Sequence, residues 1–175
     1  QIAASLIPDN CSVILNIGTT TEQVAHALTA HRGLMVISNN MNVIQILRDV
    51  ALKALVIVGG GVRQSDGAVI GDEAVEFISR YKVDYAVIGA SSIDVDGSVL
   101  DFDRREVAVS RAILKNARTR ILVADHTKFE RSAPVRICDI SELDYVVFDR
   151  PPPNSFVEKA KACGTRILTK SVTDE

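Results

Sequence analysis

Tryptophan is missing from this 175-residue chain, aromatic residues make up only 5% of it, and cysteine occurs three times. The thiols, Cys11, Cys138 and Cys163, have no CxxC spacing and would leave one unpaired if two bridged. That pattern points to reduced thiols in a cytosolic protein and away from structural zinc. Net charge is also small: 20 basic against 22 acidic side chains give a formal −2. Such a balance supplies no positive field for nonspecific DNA or membrane binding, so any nucleic-acid element is expected outside this chain. Charged or turn residues interrupt every apolar run before membrane-spanning length, and no basic-then-apolar signal opens the sequence. GxGxxG, a P-loop GK[ST] and GxSxG are all lacking, which removes the usual sequence support for nicotinamide cofactors, nucleoside triphosphates and serine hydrolase chemistry. No cofactor is expected. The first residue, Gln1, is consistent with a piece of a longer protein.

What is present is an alternation of short apolar runs with helical patterns. Val13 to Leu15, Leu34 to Ile37, Ala54 to Val58, Val83 to Ile88, Thr119 to Ala124 and Tyr145 to Phe148 read as strands, several rich in Val and Ile as doubly covered strands are. Thr21 to Ala30, Met41 to Val50, Glu73 to Ser79, Arg104 to Asn116 and Asn154 to Ala162 read as helices. This order predicts an α/β domain over residues 1–175, with a mostly parallel sheet and helices on both faces. Asn39 and Asn40 sign one helix start, and the Asp103 to Glu106 spacing predicts a capping box at another. Residues 59–70, rich in glycine, read as a loop or hairpin, and Pro151 to Pro153 stiffen the approach to the last helix.

Parallel sheets bind ligands beyond the carboxyl ends of their strands, and five polar clusters fall there in succession. They are Asn16 with Gly18 to Thr21; Ser38 with Asn39 and Asn40; Gly59 to Gly61 with Arg63; Gly89, Ser91, Ser92 and Asp94; and Asp125, Thr127 and Lys128. In "NIGTTTEQ" the helix-start amides and the hydroxyls of Thr19, Thr20 and Thr21 suit phosphate oxygens, and Gly18 lets the backbone approach. A threonine-capped helix is the competing reading. "VGGGVRQ" suits either a ligand contact through Gly60 and Arg63 or a plain tight turn. In "SSIDVDGSVLDFDRRE" the acids Asp94, Asp96, Asp101, Asp103 and Glu106 suit sugar or polyol hydroxyls, Arg104 and Arg105 suit a phosphate or solvent, and a ligand role is expected from these residues alone for only one or two of the seven. A calcium-loop alignment of that segment starts on Ser92, ends on Asp103 and follows a strand, which argues against it. Lys128, three residues after Asp125, is a suitable point charge for phosphate or for an enolised oxygen. A pocket for a small molecule is the expected result, and acid–base isomerisation of a sugar phosphate through Asp94 or Glu106 with Lys128 is the alternative.

Taken together, "NIGTTTEQVAHAL", "VISNN", "VGGGVR", "VIGDEAVEF", "VIGASSIDVDGSVLDFDRREVAVSRAI" and "LVADHTKF" resemble the effector-sensing domain of the DeoR family of bacterial transcriptional repressors over about residues 4–150. "LDFDRREV", "ADHTKF" and "DRPPP" are similar to the glycerol-3-phosphate branch of that family. The resemblance implies a fold like ribose-5-phosphate isomerase and coenzyme A transferase, a phosphorylated metabolite as effector, and sensing without catalysis. It also implies operator DNA as a partner, through an N-terminal winged helix-turn-helix outside this chain, and a homo-oligomer, since repressors read paired half-sites. The family's phosphate turn falls on Gly18 to Thr21 followed by Asn39, its glycine pair on Gly59 and Gly60, its acidic segment on Asp94, Gly97 and Glu106, and its strand-end pair on Asp125 and Lys128. Asn16 stands where family members commonly carry Asp, and Phe102, Asp103 and Arg104 replace a more neutral turn. The expected effector site is Gly18, Thr19, Thr20, Thr21 and Lys128 for the phosphate, with Asn16, Ser38, Asn39, Gly60, Arg63, Ser91, Asp94, Asp103, Arg104, Glu106 and Asp125 for the rest of the molecule.

Overall fold

The computed structural model describes residues 1–170, so the last five residues of the expected 1–175 domain lie outside the described region. A short helix α1 (Ile2–Ser5) leads into β1 (Ser12–Leu15), α2 (Thr19–Leu28), β2 (Met35–Ser38), α3 (Met41–Leu47) and β3 (Ala54–Ile57). A hairpin of β4 (Gly61–Arg63) and β5 (Ala68–Ile70) precedes α4 (Asp72–Ser79) and β6 (Val83–Ile88). Next come β7 (Ser92–Ile93), β8 (Ser98–Asp101), α5 (Arg104–Lys115), β9 (Ala117–Ala124) and the first of two 3-10 segments, over His126–Glu130, the second being Ile140–Glu142. β10 (Val135–Asp139), β11 (Tyr145–Phe148), α6 (Asn154–Cys163) and β12 (Arg166–Thr169) complete the described chain.

Seven of these strands form one parallel sheet in the order β12, β11, β9, β6, β1, β2, β3. Alternate residues feed two cores. Val13, Leu15, Val36, Val87 and Ile121 meet α1, α2 and α3 through residues such as Ala3, Val24, Leu28 and Leu47. Ile14, Ile37, Ala86, Ile88 and Leu122 meet α4, α5 and α6 through Ile78, Val107, Ile113 and Phe156. This period of two, with both sets buried, is why the strands read as unbroken apolar runs. The expected α/β class with helices on both faces is therefore what the chain adopts.

Chain direction across the sheet reverses between β1 and β6. β1 continues to β2 on one side, while β6, its other neighbour, continues to β9. In such sheets the loops leaving the two central strands diverge to opposite faces and open a crevice at their carboxyl ends. Here the loops after β1, β6 and β9 all emerge at that point.

The glycine-rich 59–70 segment, expected as a loop or hairpin, contains the hairpin β4–β5. Elements without a forecast are short or lie off the main sheet. β7, β8 and β10 make a separate antiparallel sheet, and their two- to five-residue lengths give periodicity too little to act on. α2 begins at Thr19 rather than Thr21, which places all three threonines inside its first turn.

Candidate functional site

The turn after β1 begins with Asn16, buried and almost without solvent access, whose amide nitrogen donates to Ser110 Oγ on α5 at 2.8 Å. Gly18 is the N-cap of α2 with φ +121°, and no side chain caps the helix there. Of the three threonines, Thr21 turns its hydroxyl inward to the carbonyls of Asn16 and Gly18 at 2.8 and 2.6 Å. This corrects its expected place on an anion, because a hydroxyl committed to two backbone oxygens has no proton left to donate. Thr19 and Thr20 line the cavity instead.

Ser38 and Asn39, expected to touch a ligand, are fully buried scaffold. Ser38 Oγ donates to Leu15 O at 2.7 Å, and Asn39 Nδ2 donates to Val69 O at 3.2 Å while Val69 N returns a bond to Asn39 O at 2.7 Å. The two Asn39–Val69 bonds clamp the β4–β5 hairpin, which carries Arg63, to the end of β2. The Arg63 guanidinium donates to Asp66, to Asp103 at 3.3 Å and to Glu106 at 2.8 Å. Asp103 is the N-cap of α5, accepting from Arg105 N at 2.8 Å. The expected capping box there is half formed: Glu106 pairs with Arg63 instead of returning to the cap. A complete capping box occurs at Asp139 and Glu142.

Past β9, Asp125 caps the 3-10 turn by accepting from Thr127 N at 3.0 Å and from the Thr127 hydroxyl. Asp125 thus fixes the turn that presents Lys128 and does not itself line the cavity. Phe129, the next residue, packs against Phe148 and Phe156 with ring centroids 5.4 and 5.0 Å away, so the turn is anchored in the core as well.

These elements enclose a cavity of about 380 Å³ at the point where the strand order reverses. That lies within the range of roughly 300–1,000 Å³ typical of small-molecule sites. Gly18, Thr19, Thr20 and Lys128 line it together with Arg63, Asp66, Asp101, Asp103 and Glu106. Asn16 and Ser91 complete the expected residues that meet there. Besides Thr21, Ser38 and Asn39, four expected residues lie outside this lining. Asp94 is exposed in the turn between β7 and β8; Arg104 is exposed on α5; Gly60 is exposed just before β4; and Asp125 acts through its turn. Conversely, Asp66 and Ala90 line the cavity without having been named, and Gly89, Asp101 and Phe102, named within their segments, line it without having been assigned to the effector site. Asp101 lies in the acidic stretch already noted, and its burial at 6% exposed, with Ser91 Oγ and Phe102 N donating to it, was the missing discriminator.

Residues 1–150 match the family model of the DeoR C-terminal sensor domain. The chain belongs to the DeoR C-terminal sensor domain family. Two relatives, each called glycerol-3-phosphate regulon repressor, are 42% identical over 96% of the chain in Haemophilus influenzae and 43% identical over 89% in Escherichia coli. The chain matches 65% and 62% of the length of those two relatives. In three dimensions it is similar to ribose 5-phosphate isomerase A from Methanocaldococcus jannaschii, with TM-score 0.50 at 14% identity over 73% of this chain and 50% of that one. It is also similar to eIF2B beta from Chaetomium thermophilum, with TM-score 0.56 at 14% identity over 82% of this chain and 46% of that one. At such identities the likeness is one of fold.

One carboxyl of this DeoR sensor domain has an unusual proton affinity. Burial, and then the negative charge of neighbouring Asp101, push Glu106 up to about 7, against the opposing pull of Arg63. An unfolded Glu releases its proton near 4.5, whereas the folded chain keeps it until about 7. The folded state therefore binds more protons between these values, and the associated stability, complete below about 4.5, is lost as pH rises through about 7. Glu106→Gln, which stays neutral, is expected to remove this slope. The wild-type unfolding free energy should fall relative to the variant by on the order of 1–2 kcal/mol across the window, after allowance for solvent screening. Urea titrations at pH 4.5 and 7.5 measure it, and parallel pH profiles for the two proteins would contradict the assignment.

Proposed function

We propose that this chain is the effector-binding part of a cytoplasmic transcriptional repressor, that its effector is glycerol-3-phosphate, and that it senses without catalysing. One observation carries the reading: two complementary sets of groups line one cavity. Thr19, Thr20, the uncapped amides of α2 and Lys128 are donors suited to a phosphate dianion. Asp101, Asp103 and Glu106, around Arg63, are acceptors suited to hydroxyl groups. A short polyol phosphate satisfies both, and the printed names of the two relatives supply the same metabolite.

Regulation then requires two states of the whole protein with different effector affinity. Operator contact is assigned to a DNA-binding segment outside this chain, and a homo-oligomer is the arrangement that reads paired half-sites. Within the chain, the effector would bridge the N-terminus of α2 on one face of the sheet and that of α5 on the other, drawing the two helices into one fixed relation.

Isothermal titration calorimetry with glycerol-3-phosphate, glycerol and inorganic phosphate tests this. Saturable binding is expected for the first, with the two fragments at least tenfold weaker. Lys128→Ala should weaken glycerol-3-phosphate at least tenfold, the loss of one charge-assisted contact worth about 1.5–3 kcal/mol, with an unchanged melting temperature. Undiminished affinity would remove Lys128 from the phosphate end. Glu106 and Lys128 in one cavity also suit an isomerase, although Asp94, the other base considered, is exposed outside it. Release of ribulose 5-phosphate from ribose 5-phosphate would decide for that reading.

A further inference from the structure

A second concave site lies at the opposite end of α5. Arg111 and Lys115 from the last turns of that helix face Arg120 of β9 and Arg136 of β10 across a groove of about 540 Å³, with Glu142 its one lining carboxylate. Four cations against one acid is a local excess that the chain as a whole, at −2, does not share.

Two of the arginines are held in place by backbone. Arg111 donates through Nε to Ile137 O at 3.1 Å and through a terminal nitrogen to Arg136 O. Arg120 donates through one terminal nitrogen to Glu142 O at 2.8 Å, while its Nε is buried and finds no acceptor among the described residues. The other terminal nitrogen of Arg120 makes no hydrogen bond among the described residues and is not buried, and fixed forks with such spare donors are the geometry by which arginine recognises phosphate and other oxyanions. Lys115 and Arg136 form no side-chain ion pair among the described residues, so their charge is available to the groove. Cys138 in the lining is a buried thiol pushed up to about 12, chiefly by desolvation, and adds no negative charge.

We propose that this groove is a second anion site, separate from the effector cavity, that takes a small soluble ligand carrying more than one phosphate-type negative charge. Its concave shape and small extent fit a compact polyanion better than a duplex, which requires a broad positive face. The two sites sit along one helix: Glu106 and Lys115 are nine residues apart in α5, roughly 13 Å along its axis.

Inorganic pyrophosphate is the probe, titrated into the ¹⁵N-labelled chain with glycerol-3-phosphate present in excess. The side-chain Nε–H signals of Arg111 and Arg120 should shift and saturate. In the Lys115→Ala/Arg136→Ala double variant, which removes the two cations without structural bonds, pyrophosphate affinity should drop at least tenfold, with folding and glycerol-3-phosphate affinity unchanged. Absent shifts at these two arginines, or an unaltered affinity in the double variant, would overturn the site. A short DNA duplex that shifts the same signals at lower concentration than pyrophosphate would overturn the small-ligand assignment.

Discussion

Replacing Gly18 with valine is expected to give a folded chain that has lost at least 100-fold in affinity for glycerol-3-phosphate, about 2.7 kcal/mol. Gly18 sits at φ +121° and ψ 146°, a conformation that residues with a Cβ reach only with strain of order 1–3 kcal/mol. Space is not the obstacle, since a Cβ placed there meets only Thr21 Oγ1 at 3.7 Å. The chain can therefore relieve the strain by turning the peptide rather than by unfolding. That rotation moves the amides of the first turn of α2, the donors an anion would use, and a branched side chain also narrows the backbone's approach to it. Circular dichroism should report an intact fold with a lower melting temperature, and calorimetry the lost binding. If binding survives, the turn is a helix start and nothing more, and the phosphate end must be sought around Arg63.

How far this site was legible from sequence depends on what each residue does. Gly18, Thr19, Thr20 and Lys128 could be found because position alone selects them: each follows a buried strand and opens a helix or turn. Thr21, Ser38 and Asn39 share that position, yet each donates its side-chain hydrogen bond to a backbone carbonyl. Hydrogen bonding of this kind depends on which way a side chain turns, and residue type does not encode it. Asp94 and Asp101 show the reverse. Both belong to the same acidic stretch, but the hairpin between β7 and β8 carries the first to solvent, while the end of β8 leaves the second buried beside Ser91. Pairing of two very short strands, only two and four residues long, decides between them, and nothing in their periodicity announces it. The same limit applies to Glu106, whose spacing from Asp103 satisfied a capping rule while its carboxylate went to Arg63, 43 positions earlier in the chain. Fold class was readable because the five inner strands of the sheet, β11, β9, β6, β1 and β2, are largely buried on both faces, and that burial is written directly in their composition.

Phe156→Ala is expected to cost about 3–5 kcal/mol of stability, the usual range for deleting a fully buried aromatic ring, read as a shift in the urea midpoint. Phe156 is 0% exposed and meets Phe148 edge-on at 5.8 Å and Phe129 edge-on at 5.0 Å, so its removal empties the middle of a three-ring cluster. A domain holding about 5–15 kcal/mol survives that loss at low temperature, which leaves its binding measurable. The cluster's second consequence then becomes visible. Phe129 follows Lys128 directly, and its packing is one of two anchors of the lysine turn, the other being the Asp125 cap. Loosening one anchor should let Lys128 sample positions away from the cavity and weaken glycerol-3-phosphate by about three- to tenfold, or roughly 0.7–1.4 kcal/mol. Phe156→Leu, which keeps most of the volume, should recover most of both losses. Should the alanine variant lose stability and still bind as tightly as the wild type, the cap at Asp125 alone would be sufficient to hold the lysine, and the aromatic cluster would serve the core without serving the site.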